Sequence, residues 1–174
     1  MIPDTKDALR AYFLQKRLEL SPERIKQASN SVLKQLRKLN EFKKAQNIAI
    51  YFPFKNEIDV TDLIKEKRIL LPRVSKKNLI FSYVSTYDNL VKSKFGINEP
   101  TKNQPSVEKN EIDLVIVPGI VYSRKRKRIG YGAGFYDVFL KDYEGITIGV
   151  CFNEFIIAFK DNDYDISVDI LLEG

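Results

Sequence analysis

The sequence predicts an α/β protein built on a mostly parallel central sheet with helices on both faces. Three observations carry that prediction. Short apolar runs rich in β-branched and aromatic residues recur along the chain. Most are continuous rather than alternating, as in strands buried on both faces. Segments with helical spacing stand between several of them, which is the alternation of an α/β fold.

The elements follow in order. Residues 5–18 read as a helix, with Lys6, Arg10 and Arg17 on one face. In "LSPERIKQ", Ser21 suits an N-cap, Pro22 the first turn and Glu23 the positive end of the helix dipole. Ile25, Ala28, Val32, Leu36 and Leu39 then form one buried helical stripe. Strands are expected at 48–52, 69–72, 79–84, 114–117 and 146–152, with helical pieces near 60–67 and 135–143. In the last of these, Tyr136, Phe139, Leu140 and Tyr143 share a face. The polar segment 99–111 reads as a surface loop. No repeat or linker divides the chain, so 1–174 is expected to form a single domain, a three-layer, Rossmann-like open sheet.

Composition narrows the chemistry. The 174 residues contain no histidine, which excludes Ser-His-Asp and Cys-His catalysis. One cysteine, Cys151, leaves no internal disulfide framework and no usual zinc site. No apolar run approaches the ~20 residues of a membrane span, and "MIPDTKDALRAY" has no apolar signal-peptide core. A cytoplasmic monomer without a membrane partner is expected. The net charge of +6 is local: residues 124–128 are five of the 29 Lys and Arg, which leaves 24 against 23 Asp and Glu. Such a run is most often a solvated loop.

The stretch "RIGYGAGFYD" places Gly130, Gly132 and Gly134 at alternate positions before a helix starting near Phe135. It is neither a GxxxxGK[ST] nor a GxGxxG motif, and no apolar strand leads directly into it. Glycines let backbone N–H groups face an anion, a helix N-terminus adds positive charge, and basic side chains stand just upstream. On spacing alone, a phosphate cradle and an idle glycine-rich connection fit equally well.

Asp137 sharpens the choice. In isolation it is a favourable partner for the helix dipole. Beside phosphate, it would repel unless a divalent cation lay between, and magnesium takes one or two carboxylates plus phosphate oxygens. Phosphate at the loop and magnesium at Asp137 therefore stand or fall together. On the first helix, Lys6 and Arg10 read either as a solvated basic face or as a phosphate clamp. Glu57 follows a strand end, where α/β sheets bind ligands. Asp165 and Asp169 flank a last strand, as turn residues or as a second carboxylate for a metal.

The span Asp113 to Leu140, "DLVIVPGIVYSRKRKRIGYGAGFYDVFL", closely resembles the signature of the 5-formyltetrahydrofolate cyclo-ligase (methenyltetrahydrofolate synthetase) family. There a strand ending in Val-Pro-Gly leads through a basic stretch to Arg-Leu-Gly-x-Gly-x-Gly-Tyr-Tyr-Asp. "KDALR", "IYFPFKNEIDV", "LPRV" and "YDISVDILL" fall in the family's order along nearly the whole chain. The resemblance implies ATP-dependent cyclisation of 5-formyltetrahydrofolate to 5,10-methenyltetrahydrofolate, with magnesium. It assigns ATP to Lys6, Arg10, Arg128, Gly130, Tyr131, Gly132, Ala133, Gly134, Phe135 and Tyr136. It assigns the folate to Phe52, Glu57 and the other side of the loop, Tyr131, Gly132, Ala133, Gly134 and Phe135. Asp137 and Asp165 would hold the metal, and Arg128, Tyr136 and Asp137 would act in catalysis.

Two positions depart from the family pattern: Ala133, where Gly or Lys is usual, and Tyr164, where His is common. If a lysine at 133 grips phosphate, then Lys125, Lys127 or Arg128 must supply its charge here. The alternative reading is a nucleic-acid-binding module using residues 123–128, with Tyr122 and Tyr131 for stacking. Folate chemistry suits a chain without histidine, because the substrate supplies its own nucleophile and the protein mainly positions it and stabilises charge.

Overall fold

A computed structural model describes residues 3–162 and 164–174. The chain opens with α1 (Lys6–Leu18), α2 (Pro22–Leu36) and α3 (Asn40–Lys44). Thr5 caps α1 by accepting from the Ala8 N–H, and Ser21 caps α2 by accepting from the Arg24 N–H. Leu9, Phe13 and Arg17 are buried along one stripe of α1. In α2, Ala28, Val32 and Leu36 are buried, and Ile25 and Leu39 pack partly against the core.

The strands are β1 (Asn47–Ala49), β2 (Arg68–Ser75), β3 (Asn78–Val84), β4 (Val91–Lys92), β5 (Asn98–Glu99), β6 (Leu114–Val117), β7 (Val121–Tyr122), β8 (Arg128–Ile129), β9 (Ile146–Cys151) and β10 (Ile170–Glu173). A last helix, α4 (Phe135–Leu140), lies between β8 and β9. Six strands form the main sheet in the order β10-β9-β6-β1-β2-β3. All neighbours in it are parallel except β2 and β3, which form an antiparallel hairpin. Helix α2 packs on β10 and α4 on β3. The α/β class, the mostly parallel sheet and the flanking helices are as predicted.

The chain builds outward from β1 through β2 to β3, then crosses back to β6 and continues to β9 and β10. The strand order therefore reverses between β1 and β6. Open α/β sheets bind ligands in the crevice beyond the carboxyl ends of such strands. All four residues of β6 are buried, as its continuous apolar run requires. Beside it, the buried Tyr122 donates its hydroxyl to the Val117 carbonyl at 2.9 Å. Its ring fits only because residue 149 is glycine: a Cβ there would stand 2.6 Å from the ring.

Some expectations shift. The helix expected at 60–67 is a five-residue 3-10 turn, Thr61–Lys65. The loop 99–111 is anchored by a bridge from Val107 to Phe81 and closes in a 3-10 turn, Lys109–Glu111. A strand does lead into the glycine loop, because β8 runs straight to Gly130. At two residues, it is too short to leave a periodic signal. Among the described residues, no helix is long and apolar enough to cross a membrane.

The basic run is the turn of the β7–β8 hairpin. Four of its five charges pair with acids outside the hairpin. Arg124 pairs with Glu173, and Lys125 and Lys127 pair with Asp161 at 3.7 and 3.1 Å. Arg126 donates to the Asp169 carbonyl, and Arg128 pairs with Asp137. Tyr122 is wholly buried and offers no stacking face, while Arg124 and Lys125 keep side-chain exposures of 73% and 76%.

Candidate active site

Three segments meet at the carboxyl ends of β1 and β6. The first is the loop after β1, carrying Phe52 and Glu57. Lys55 and Asn56 turn it through left-handed conformations, with φ of 50° and 60°. The second is the glycine loop between β8 and α4. The third is the face of α1 that carries Lys6, Arg10 and Arg17.

In the glycine loop, Gly132 and Gly134 have φ of +94° and +71°, where a side chain is strained. Gly134 is the N-cap of α4, and Asp137 stands in the first turn, as predicted. At six residues, α4 is shorter than predicted and brings only a short dipole to the loop. Positive charge arrives instead from α1. The Arg10 Nε donates to the Gly130 carbonyl at 2.7 Å, and a Cβ at Gly132 would lie 3.2 Å from the Arg10 Cζ. The loop is thus folded over the Arg10 guanidinium. Ala133 is exposed and adds no charge. Lys125 and Lys127 both pair with Asp161, and the exposed Lys125 does so only at 3.7 Å.

Lys6 is ion-paired with Asp165, whose carboxylate also accepts from the Asn162 N–H at 2.7 Å. This joins the start of α1 to the segment before β10, with Tyr164 beside Lys6 at 6.0 Å from its ring centroid. Arg128 is buried; it donates to Asp137 at 2.7 Å and to the Ile166 carbonyl at 3.2 Å. Asp169, the other acid near the last strand, is taken up structurally: one oxygen accepts both the N–H and the hydroxyl of Thr147.

Glu57 is buried. One carboxylate oxygen accepts the Phe54 N–H at 2.9 Å and the other accepts the Tyr131 hydroxyl at 3.1 Å. Burial pushes its pKa up to about 7, against the opposing pull of the Arg17 charge, the Phe54 N–H and the Tyr131 hydroxyl. The Tyr131–Glu57 bond brings the glycine loop directly to the predicted folate acid. The Tyr136 hydroxyl is buried and has no hydrogen-bond partner among the described residues. Burial pushes its pKa upward, so it stays protonated.

Aromatic pairs line the glycine loop and the loop after β1. Phe54 and Tyr131 lie 6.0 Å apart, and Phe52 and Tyr87 lie 5.5 Å apart. The β4–β5 hairpin brings Phe95 to 6.3 Å from Phe135, and Gly96 sits against Phe54. Sequence reasoning missed this hairpin, whose two-residue strands carry no alternation signal. It also missed the buried position of Arg17. A separate groove of about 690 Å³ between α2 and residues 61–65 is lined by none of the predicted site residues.

This arrangement can hold an anion near Arg10 and the loop backbone, and a flat polar ring near Glu57. Residues 3–171 match the model of the 5-formyltetrahydrofolate cyclo-ligase family. A probable 5-formyltetrahydrofolate cyclo-ligase of Schizosaccharomyces pombe is 28% identical over 181 residues, covering 92% of this chain and 89% of that protein. The 5-formyltetrahydrofolate cyclo-ligase of Haemophilus influenzae is 33% identical over 138 residues, covering 72% and 74%. The solved structure of a 5,10-methenyltetrahydrofolate synthetase from Aquifex aeolicus matches with a TM-score of 0.85 at 34% identity, covering 97% and 89%. The chain belongs to the 5-formyltetrahydrofolate cyclo-ligase family of enzymes.

Proposed function

We propose that this protein, acting in the cytoplasm as a monomer, uses ATP to cyclise 5-formyltetrahydrofolate to 5,10-methenyltetrahydrofolate. The observation that carries the reading is the Tyr131–Glu57 hydrogen bond at 3.1 Å. It places the acid suited to a folate ring within one contact of the loop suited to phosphate.

In this reading, Lys6 and Arg10 approach ATP from α1, and the N–H groups of residues 130–134 from the loop. The formyl oxygen attacks the γ-phosphorus, an O–P bond forms, and ADP departs with the electrons of the broken bond. The second folate nitrogen then attacks the activated carbon, its proton is lost, and phosphate leaves with the former formyl oxygen. Both nucleophiles belong to the substrate, so the absence of histidine is no obstacle. Arg10 and Arg128 stabilise the charge that develops on the phosphoryl oxygens. In the same reading, the unpartnered Tyr136 hydroxyl, which keeps its proton, serves as a hydrogen-bond donor to the leaving oxygen.

Asp137 and Asp165 are the residues that would hold magnesium. Each has one oxygen engaged by a cation, Arg128 or Lys6. No group of three or more metal-ligating side chains occurs among the described residues. That donor set is no closed cage, but it fits an ion that shares ATP phosphates and keeps waters. Such an ion would supply charge neutralisation at the phosphates.

The test is whether ADP release by the purified protein depends on 5-formyltetrahydrofolate. Release at the same rate without the folate would contradict the reading.

A further inference from the structure

Arg17 stands at the reversal point of the sheet. Its side chain is almost wholly buried, with 1% of the residue exposed. Its Nε donates to the Lys55 carbonyl beyond β1 at 2.9 Å, and its Nη1 to the Gly119 carbonyl beyond β6 at 3.2 Å. Those two bonds are what a purely structural arginine would make. The remaining contact differs: Nη2 donates to the Tyr131 hydroxyl, and Nη1 lies 3.9 Å from the Glu57 Oε1.

That contact fixes a proton. A guanidinium only donates, so the Tyr131 oxygen must accept from Arg17. The hydroxyl hydrogen must then go to an acceptor, and Glu57 Oε1 at 3.1 Å is nearer than the Phe54 carbonyl at 3.3 Å. Burial, with the Glu57 charge second, pushes the Tyr131 pKa up, so its proton stays in place. Glu57 is thereby met by donors on both oxygens. The charged and titratable groups that face it are Arg17 from α1, Tyr51 at the end of β1, Tyr131 from the glycine loop and Tyr136 from α4.

We infer that Arg17 is a positioning residue: it aims the Tyr131 hydroxyl at Glu57 and favours the ionised form of Glu57 against its burial, as an acceptor for N–H donors on the substrate's ring. The inference rests on the folate reading above for the identity of the ring. Arg17 touches neither substrate in this account and acts through Tyr131 and Glu57.

The test uses the full chain as Arg17→Met, Arg17→Lys and Tyr131→Phe, with folding checked by circular dichroism. The first readout is the Glu57 titration in the ligand-free protein, followed by carboxyl carbon NMR. The second compares KM for 5-formyltetrahydrofolate with KM for ATP. Arg17→Met and Tyr131→Phe are each expected to raise the Glu57 midpoint by about one pH unit, and KM for the folate at neutral pH by roughly tenfold. In Arg17→Met, KM for ATP should stay within about twofold, and Arg17→Lys should recover part of the midpoint shift, since it keeps the charge. An unchanged Glu57 midpoint in folded Arg17→Met or Tyr131→Phe overturns the inference, as does an equal rise in both KM values. If Arg17→Met does not fold, Arg17→Lys decides: a lysine cannot reach Tyr131 and both carbonyls together, so a Glu57 midpoint and a folate KM both equal to the wild type overturn the inference. If the wild-type protein forms no methenyl product, the folate reading fails, while the NMR titration still decides the role of Arg17.

Discussion

Arg128 and Asp137 are ion-paired at 2.7 Å across the glycine loop that separates them in sequence. The Arg128 side chain is 4% exposed and that of Asp137 45%. Asp137 therefore neutralises a buried guanidinium through one oxygen and leaves nearly half its side chain exposed.

Substitution at Asp137 should separate its pairing with Arg128 from its part in turnover. Asp137→Asn keeps an acceptor for Arg128 and is expected to fold, with a stability loss at the low end of 1–3 kcal/mol, roughly. Turnover should fall by about a hundredfold or more, the scale of removing one strong charge-stabilising group. Asp137→Ala should lose the same activity and more stability. Melting curves and kcat check both, and near-normal turnover in Asp137→Asn would remove Asp137 from the chemistry.

Tyr136→Phe isolates the orphaned hydroxyl. Deleting a buried polar group that has no partner costs little, so stability should be unchanged or rise by up to about 1 kcal/mol. Turnover should drop by roughly ten- to a hundredfold, the scale of losing one hydrogen-bond donor to developing charge. A stability loss without a turnover loss would mean that the hydroxyl serves the fold alone.

Glu57 makes stability depend on pH. Its folded pKa of about 7 lies above the ordinary 4.5. Below the ordinary value both folded and unfolded chains hold the proton. As pH rises towards the folded value the unfolded chain releases it first, so stability falls across this window, by on the order of 3 kcal/mol in full. Glu57→Gln does not titrate. Its stability relative to the wild type should climb from pH 4.5 to 7 and then level off, as read from urea midpoints. A pH-independent difference would place Glu57 outside the buried cluster. Folate-side kcat/KM should run the other way, rising with pH as Glu57 ionises.

Gly132→Ala tests the packing of Arg10 under the loop. The new Cβ meets Arg10 at 3.2 Å with φ at +94°. Strain of about 1 kcal/mol and a displaced guanidinium are expected, with KM for ATP raised several-fold. Gly134→Ala is the stability control, because its φ is +71° and nothing lies within 4 Å of its Cβ. Equal stability losses in the two variants would argue against the contact with Arg10.

Much of the frame was legible because its signals are local. Ser21 caps α2 as its neighbours suggest, the run 114–117 is β6 residue for residue, and the glycine loop ends in a helix at Phe135. The illegible parts are contacts made across the chain. Nothing near residues 124–128 shows that Glu173 and Asp161 will pair with them. The pairing of Lys6 with Asp165 spans 159 positions. Arg17 did leave a trace: it continues the Leu9–Phe13 stripe of α1, so a helix burying that stripe must bury a guanidinium and find it partners. Its partners, Lys55, Gly119 and Tyr131, come together only when β1 and β6 lie side by side.

The most direct test of the account is the absorbance of methenyltetrahydrofolate in a mixture of the purified protein, 5-formyltetrahydrofolate, ATP and magnesium. The account predicts that the chromophore appears, matches ADP release one for one, and vanishes when ATP or magnesium is withheld. No chromophore from folded protein with all components present would contradict it.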